Sequence, residues 1–254
     1  MKERYIFWAI MKNYFIHLKR YWFNTAMMMG GVYILFVLVF FGLQSFGATS
    51  ETLEGSIVGF ALWIFAIIGF SELSWSLMEE ARNGTLEQLY LSPVSFRRIS
   101  GYRIISSFLV NLIIILIFLF SMMVGTGYYL NMNPGVLILI FFTLLSVYGI
   151  GYILGGLSLI FKKIQAVFSI MQFVFIVLLI LPVITDSPVI YFLPVSWGTV
   201  LINKMMISGY SLFDLSLQSL GILFLNSTIY LGIGYLSFGI LEDIAKDKGL
   251  LGHY

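Results

Sequence analysis

Cysteine is absent from this 254-residue chain, and charged residues make up only 10% of it. No disulfide framework and no thiolate metal site can be built from such a sequence. The two histidines, His17 and His253, stand at opposite ends of the chain and offer no metal-ligand spacing. The net charge is only +2, and no basic run alternates with exposed aromatics, which argues against a nucleic-acid surface. A phosphate loop is missing too: "GGLSLIFKK" has glycines and lysines but neither the spacing nor the terminal hydroxyl. The chain therefore has no nucleotide-hydrolysing motor of its own. Nor is any polar block long enough to fold as a soluble domain.

What remains is grease. Sixty per cent of the residues are hydrophobic and the mean hydropathy is +0.98, which a soluble globular domain does not show. Six apolar runs of about the length that crosses a bilayer stand out, at Thr25 to Phe46, Ile57 to Met78, Ile104 to Tyr128, Gly135 to Phe161, Ala166 to Ile184 and Leu217 to Leu241. If the first run leads outward, the inner segments hold Lys2, Arg4, Lys12, Lys19 and Arg20; Arg82, Arg97, Arg98 and Arg103; Lys162 and Lys163; and Lys246 and Lys248. Those are thirteen of the fourteen Lys and Arg residues, with Lys204 as the exception. Outer loops hold Glu51, Glu54, Asp186 and Asp214 instead. The positive-inside rule thus predicts six spans with both termini in the cytoplasm.

Between the fifth and sixth runs, residues 187–210 are apolar but broken by Pro188, Pro194, Gly198 and Gly209. They read as a re-entrant pair of short helices in the outer leaflet, or as a loop lying on the surface. Residues 1–24 read as an amphipathic interfacial helix, with Lys12, Asn13, His17, Lys19, Arg20 and Asn24 on one arc and Phe7, Met11, Tyr14, Phe15, Leu18 and Trp22 on the other. They lack the cleavage site of a secretory signal. The tail after Glu242 reads as mobile. Two "GIGY" stretches, at Gly149 and at Gly232, and the Gly151/Gly155 pair read as places where helices approach closely. The predicted fold is an all-α integral membrane protein forming one transmembrane domain over 1–254.

One stretch, residues 79–102, "EEARNGTLEQLYLSPVSFRRISGY", is polar. Thr85 and Gln88 have capping-box spacing, with Asn83 and Gly84 in the turn before them. Glu87 suits the first turn of a helix, and Pro93 stops it. That predicts about two turns, with Leu86, Leu89 and Tyr90 on one apolar face. So short a helix does not stand alone in water, so this face packs on the chain's own membrane domain or on a cytoplasmic partner. Glu79, Glu80 and Arg82 invite comparison with membrane proteases of E-E-x-x-x-R type, but the arginine comes too early and no intramembrane histidine accompanies them. Within the spans only Glu72 is ionisable, about 9 Å of helix from the inner boundary. It serves a conduit or gate, or makes a structural hydrogen bond with Asn111 or Tyr148.

The segment "EEARNGTLEQLYLSPVSFRRISGYRI" resembles the stretch after the second span in permeases of the second export class of ATP-binding-cassette (ABC) transporters, through Gly84, Thr85, Leu86, Glu87, Gln88, Leu89, Ser92 and Pro93. The resemblance implies a six-span permease subunit, acting as a homodimer with two copies of a separate ABC-type ATPase that binds ATP and Mg. It implies that Glu79, Glu80, Arg82, Asn83, Gly84, Thr85, Leu86, Glu87, Gln88, Leu89 and Tyr90 form the coupling interface, with no cofactor, metal or catalytic residue in this chain. The cargo class it implies is a hydrophobic or amphipathic drug, peptide, lipid or glycolipid exported across the plasma membrane. Two other readings compete: a scaffold or sensor docking a non-ATPase partner, and an ion-coupled carrier, for which Glu72 alone is too little charge.

Overall fold

The computed structural model describes residues 2–161, 164–185 and 187–249; Lys162, Lys163, Asp186 and His253, used in the sequence reading, lie outside them. Nine α-helices follow in order among the described residues: α1 (Lys2–Arg20), α2 (Trp22–Ser45), α3 (Ser50–Arg82), α4 (Leu86–Tyr90), α5 (Phe96–Thr126), α6 (Pro134–Ile160), α7 (Gln165–Ile184), α8 (Ser196–Met206) and α9 (Leu217–Asp247). Six of them, α2, α3, α5, α6, α7 and α9, are long and apolar enough to cross a membrane. They coincide with the six predicted runs, and α3, α5 and α9 extend beyond them by several residues at the polar ends. No strand is present among the described residues.

Local chemistry sets the boundaries. Thr49, Asn133 and Ser216 precede α3, α6 and α9, and each side chain accepts a hydrogen bond from a backbone amide of the first turn, at 3.2–3.3 Å. Pro134 occupies the first position of α6, where its missing N–H is not needed. Gly127 at φ +76° ends α5 in the left-handed region.

Helix α6 is the centre of the bundle, packed between α9 on one side and α3 on the other. Its glycines permit both contacts. Gly149 and Gly234 interlock α6 with α9: a Cβ on Gly149 would stand 2.3 Å from the Tyr230 carbonyl oxygen, and one on Gly234 would stand 2.1 Å from the Gly149 carbonyl oxygen. On the other side, a Cβ on Gly151 would come 2.9 Å from the Gly69 carbonyl oxygen of α3. The two "GIGY" stretches therefore meet, as close-approach surfaces, with Ser227 Oγ of α9 donating to the Phe142 carbonyl of α6 at 2.6 Å. The α9 face that meets the bundle is a single stripe of Leu223, Ser227, Gly234, Phe238, Glu242 and Ala245.

At one end of the bundle, Pro188–Tyr191 forms a 3-10 turn and α8 folds back against α6, α7 and α3. Its Ser196 Oγ donates to the Leu178 carbonyl at 2.7 Å and its Trp197 Nε1 to the Ser219 carbonyl at 3.0 Å. A 3-10 turn and an 11-residue helix thus occupy this stretch. The opposite end holds α1, α4 and the last turns of α9.

Three sequence expectations change there. The α4 helix is five residues, not two turns, and Thr85 does not cap it. Gly84, at φ +69°, closes α3 in a Schellman motif, with Thr85 N donating to Glu80 O at 2.9 Å and Gly84 N to Ala81 O at 3.1 Å. This fixes Thr85 as the last member of the α3 lock, and its hydroxyl turns back to the Glu80 carboxylate and carbonyl. Residues Glu242 to Asp247, read as mobile tail, continue α9 as helix, with Glu242 only 2% exposed. Finally, Phe7, Met11, Tyr14 and Leu18 of α1 turn inward, and α1 packs against α5, whereas Phe15 and Trp22 stay exposed.

Because Gly84 has open space around its Cα, its replacement by alanine tests backbone conformation alone. Gly84→Ala should destabilise the protein by about 1 kcal/mol, the cost of a Cβ in the left-handed region, with Gly84→Asn losing less; thermal unfolding in detergent reads both.

Candidate functional site

The segment between α3 and α5 is clamped from three sides. Leu86, 1% exposed, inserts into the core, and Leu89 and Tyr90 pack against it. The Tyr90 ring stacks on Phe96 at a centroid distance of 4.1 Å, and Phe96 stacks on Phe238 of α9 at 6.0 Å. Lys246 of α9 lies 5.2 Å from the Tyr90 ring centroid, a cation–π contact. The apolar face of α4 is thus satisfied by the chain itself.

Opposite that face the surface is open. Arg82, Asn83, Gly84, Glu87 and Gln88 are exposed, and Leu91 is 86% exposed at the tip of the segment. Of the predicted interface residues, Leu86 is out of reach of any partner, Leu89 and Tyr90 are half-buried, and Glu80 is engaged in an ion pair with Arg103. Glu79 is exposed and faces a cavity instead. Leu91 falls outside the i, i+3, i+4 stripe and, unlike Leu86 and Leu89, leaves its side chain in the open at the end of the helix.

A second unread feature pins α9 to the start of α5. Arg97 Nε donates to Glu242 at 2.9 Å, and its Nη2 donates to Asp243 at 2.7 Å and to the Gly239 carbonyl at 2.9 Å. Gly239 has no side chain to obstruct it; a Cβ there would sit 2.6 Å from the Arg97 guanidinium carbon. Lys246 completes the cluster by donating to Glu242 one helical turn away. The signal in the sequence was the Glu242 to Lys246 spacing, in a stretch set aside as tail.

Glu72 lines a cavity of about 400 Å³ bounded by the α1–α2 junction, α3 and α5. Tyr14 of α1 lines the same cavity. Burial and then the nearby Glu72 carboxylate push the Tyr14 hydroxyl above its ordinary ionisation range, so it stays protonated. Asn111, one of the two partners suggested from sequence, donates instead to Ser107 Oγ at 2.9 Å. In the same cavity Arg103 donates to Ser76 Oγ at 2.7 Å and pairs with Glu80. Among the described residues no group of three histidine, aspartate or glutamate side chains could hold a metal ion.

The sequence profile of a family described as ABC-2 family transporter protein matches residues 40–236. The match runs from the second half of α2 into α9 and includes the whole of α4 and its flanks. No curated protein matches the chain.

Proposed function

The chain belongs to the ABC-2 family of transporter proteins, and from that premise we propose that it is the membrane subunit of an ATP-driven exporter in which α4 is the handle for a separate ATPase. The α4 end then lies in the cytoplasm, in keeping with the bias of Lys and Arg to that side, and α8 returns within the outer leaflet. ATP and Mg belong to the ATPase, two copies of which work on two copies of this chain. The membrane is the cell's plasma membrane, and the cargo is hydrophobic or amphipathic.

The observation that carries this reading is the division of α4 into two faces. Leu86 and Tyr90 anchor it in the bundle, while Leu91, Glu87 and Gln88 project as a small rigid knob with one apolar tip and a polar rim. A short helix held firmly on one face and projecting a leucine among charged and amide side chains on the other is a shape that a partner can grip. Because the anchor reaches α3 through the Schellman lock, α5 through Phe96 and α9 through Lys246, force on the knob moves three spans together. Closure of the paired ATPases would in this way tilt the bundle between inward-open and outward-open states.

The test is a pair of substitutions on the exposed face. Leu91→Asp with Glu87→Lys should leave the protein monodisperse in detergent with unchanged thermal stability, and abolish co-purification of ATP-hydrolysing activity from the native membrane. Leu86→Asp is the wrong probe, since it places a charge in the core. If the Leu91/Glu87 variant retains the ATPase in full, α4 is not the handle. If the unaltered protein purifies with a partner that binds no nucleotide, it is a scaffold.

A further inference from the structure

Helix α7 carries a proline within it, Pro182, and a proline breaks the backbone ladder of its helix. Having no N–H, Pro182 cannot donate to the carbonyl four residues earlier, that of Leu178. Leu178 is buried, and a buried carbonyl needs a donor. The donor comes from outside the helix: Ser196 Oγ, itself fully buried, donates to the Leu178 carbonyl at 2.7 Å. An unusual backbone brings it there. Val195 is the one non-glycine residue at positive φ among the described residues, at φ +69° and ψ −40°. Ser196 N donates to the Pro194 carbonyl at 2.8 Å across it, closing a γ-turn of the rare positive-φ kind. A β-branched residue is strained in that region, and such strain persists only where the surroundings impose it.

Here α9 imposes it. Asn226 Nδ2 donates to the Tyr191 carbonyl at 2.9 Å and to the Leu193 carbonyl at 3.3 Å. Tyr230, one helical turn on, donates its hydroxyl to the Phe192 carbonyl between them at 3.1 Å. Three successive carbonyls are thus held by one face of α9, and the turn at Val195 swings Ser196 onto α7. On the α6 side there is no slack, because a Cβ on Gly198 would overlap the Thr143 side chain. We infer that residues 191–196 are a strap that ties α9 to a proline hinge in α7, and that the strained turn makes the strap releasable. Release loses the Ser196 hydrogen bond but relaxes Val195, so the two costs oppose each other and the clipped and open states lie close in free energy. Beyond the hinge α7 is free to swing, since Val183 and Ile184 are 80% and 74% exposed. The strap stands on these contacts alone; only its use, to admit the outward-open state, rests on the exporter reading.

The absence of cysteine from the chain makes the test direct. Spin labels on Val183→Cys, past the hinge, and on Leu217→Cys, the exposed first residue of α9, report the α7–α9 distance by double electron–electron resonance. The sample is the full chain in detergent, diluted with unlabelled protein so that only pairs within one molecule are read. The parent should give one dominant distance. Ser196→Ala, which removes a hydroxyl and almost no volume, should add a second, longer distance and lower the unfolding temperature by about 2–4 °C. Asn226→Ala, at the other end of the strap, should add the same second distance. Pro182→Ala restores the missing N–H to α7, so adding Ser196→Ala to it should change neither the distance nor the unfolding temperature. An unchanged distance in Ser196→Ala or in Asn226→Ala overturns the strap. A second distance that persists with Pro182→Ala and Ser196→Ala together, or an equal fall in unfolding temperature in both backgrounds, overturns the hinge. These residues lie at the end of the bundle away from α4, so the variants should keep ATPase co-purification, and loss of the ATPase in Leu91→Asp with Glu87→Lys would leave the distances as they are.

Discussion

Replacement of Gly149 by leucine is expected to prevent assembly of the bundle, so that the protein is recovered as aggregate rather than as a monodisperse species. The reason is that the atoms facing Gly149 are backbone atoms. A Cβ would meet the Tyr230 carbonyl oxygen at 2.3 Å, its carbon at 2.5 Å and the Leu231 nitrogen at 2.8 Å, and none of these can rotate aside. The helices have to separate, and α6 with α9 is the most extensive helix pair among the described residues. Membrane helices associate through close van der Waals contact, without a hydrophobic drive between them, so a separation of even 1 Å along this seam removes much of what holds α9 in place. Gly149→Ala, the mildest version, should already cost about 3 kcal/mol, at the upper end of overpacking penalties. The control lies in the second copy of the same motif. Gly232 has nothing within 4 Å of a built Cβ, and Gly232→Ala should be neutral or slightly stabilising, through helix propensity. Retention of full thermal stability in Gly149→Leu would mean that the α6–α9 crossing is not as described.

That contrast also shows what was legible in the sequence. The six spans could be read because a bilayer leaves few alternatives: some 20 apolar residues in a row must be a helix that satisfies its own backbone. The glycines could be read as close approaches, yet nothing local said that Gly149 faces α9 while Gly151, two residues on and so on the opposite side, faces α3. The α4 segment shows the same limit. Its i, i+3, i+4 face was plain, but a face says only that something packs there, and the bundle won Leu86 and Tyr90 while Leu91 was left to the outside. Thr85 was misread because two local rules competed for it. The left-handed Gly84 ends α3 so tightly that the next residue completes the lock instead of starting the following helix. Tyr14 and Glu72 lie 58 positions apart, and no periodicity links a residue on α1 to a carboxylate on α3.

The cluster that holds α9 to α5 carries the second large effect. Glu242 is buried and accepts hydrogen bonds from both Arg97 and Lys246, so Glu242→Ala leaves two cations around an empty acceptor. Breaking a buried pair costs about 3–5 kcal/mol. Arg97 is about a third exposed and keeps Asp243 and the Gly239 carbonyl, so the expected loss is at the lower end, near 3 kcal/mol. Asp243 is 60% exposed, and Asp243→Ala should cost under about 1 kcal/mol, as surface pairs do. A double-mutant cycle with Arg97→Ala isolates the pair: an interaction energy above about 1 kcal/mol is expected for groups in contact, and additivity would show that Arg97 and Glu242 act independently. The consequence for coupling follows from the same contacts. Lys246 touches Glu242 on one side and the Tyr90 ring on the other, and Tyr90 belongs to α4. With Glu242 gone, Lys246 keeps only its 3.9 Å pair with Asp243, and α4 keeps its hold on α3 through Leu86 while its hold on α9 weakens. On the proposed exporter reading, the Glu242→Ala protein should therefore still bind an ATPase through Leu91 and support hydrolysis, yet move cargo poorly. A variant in which hydrolysis and transport fall in equal proportion would show that α9 is not in the path of force.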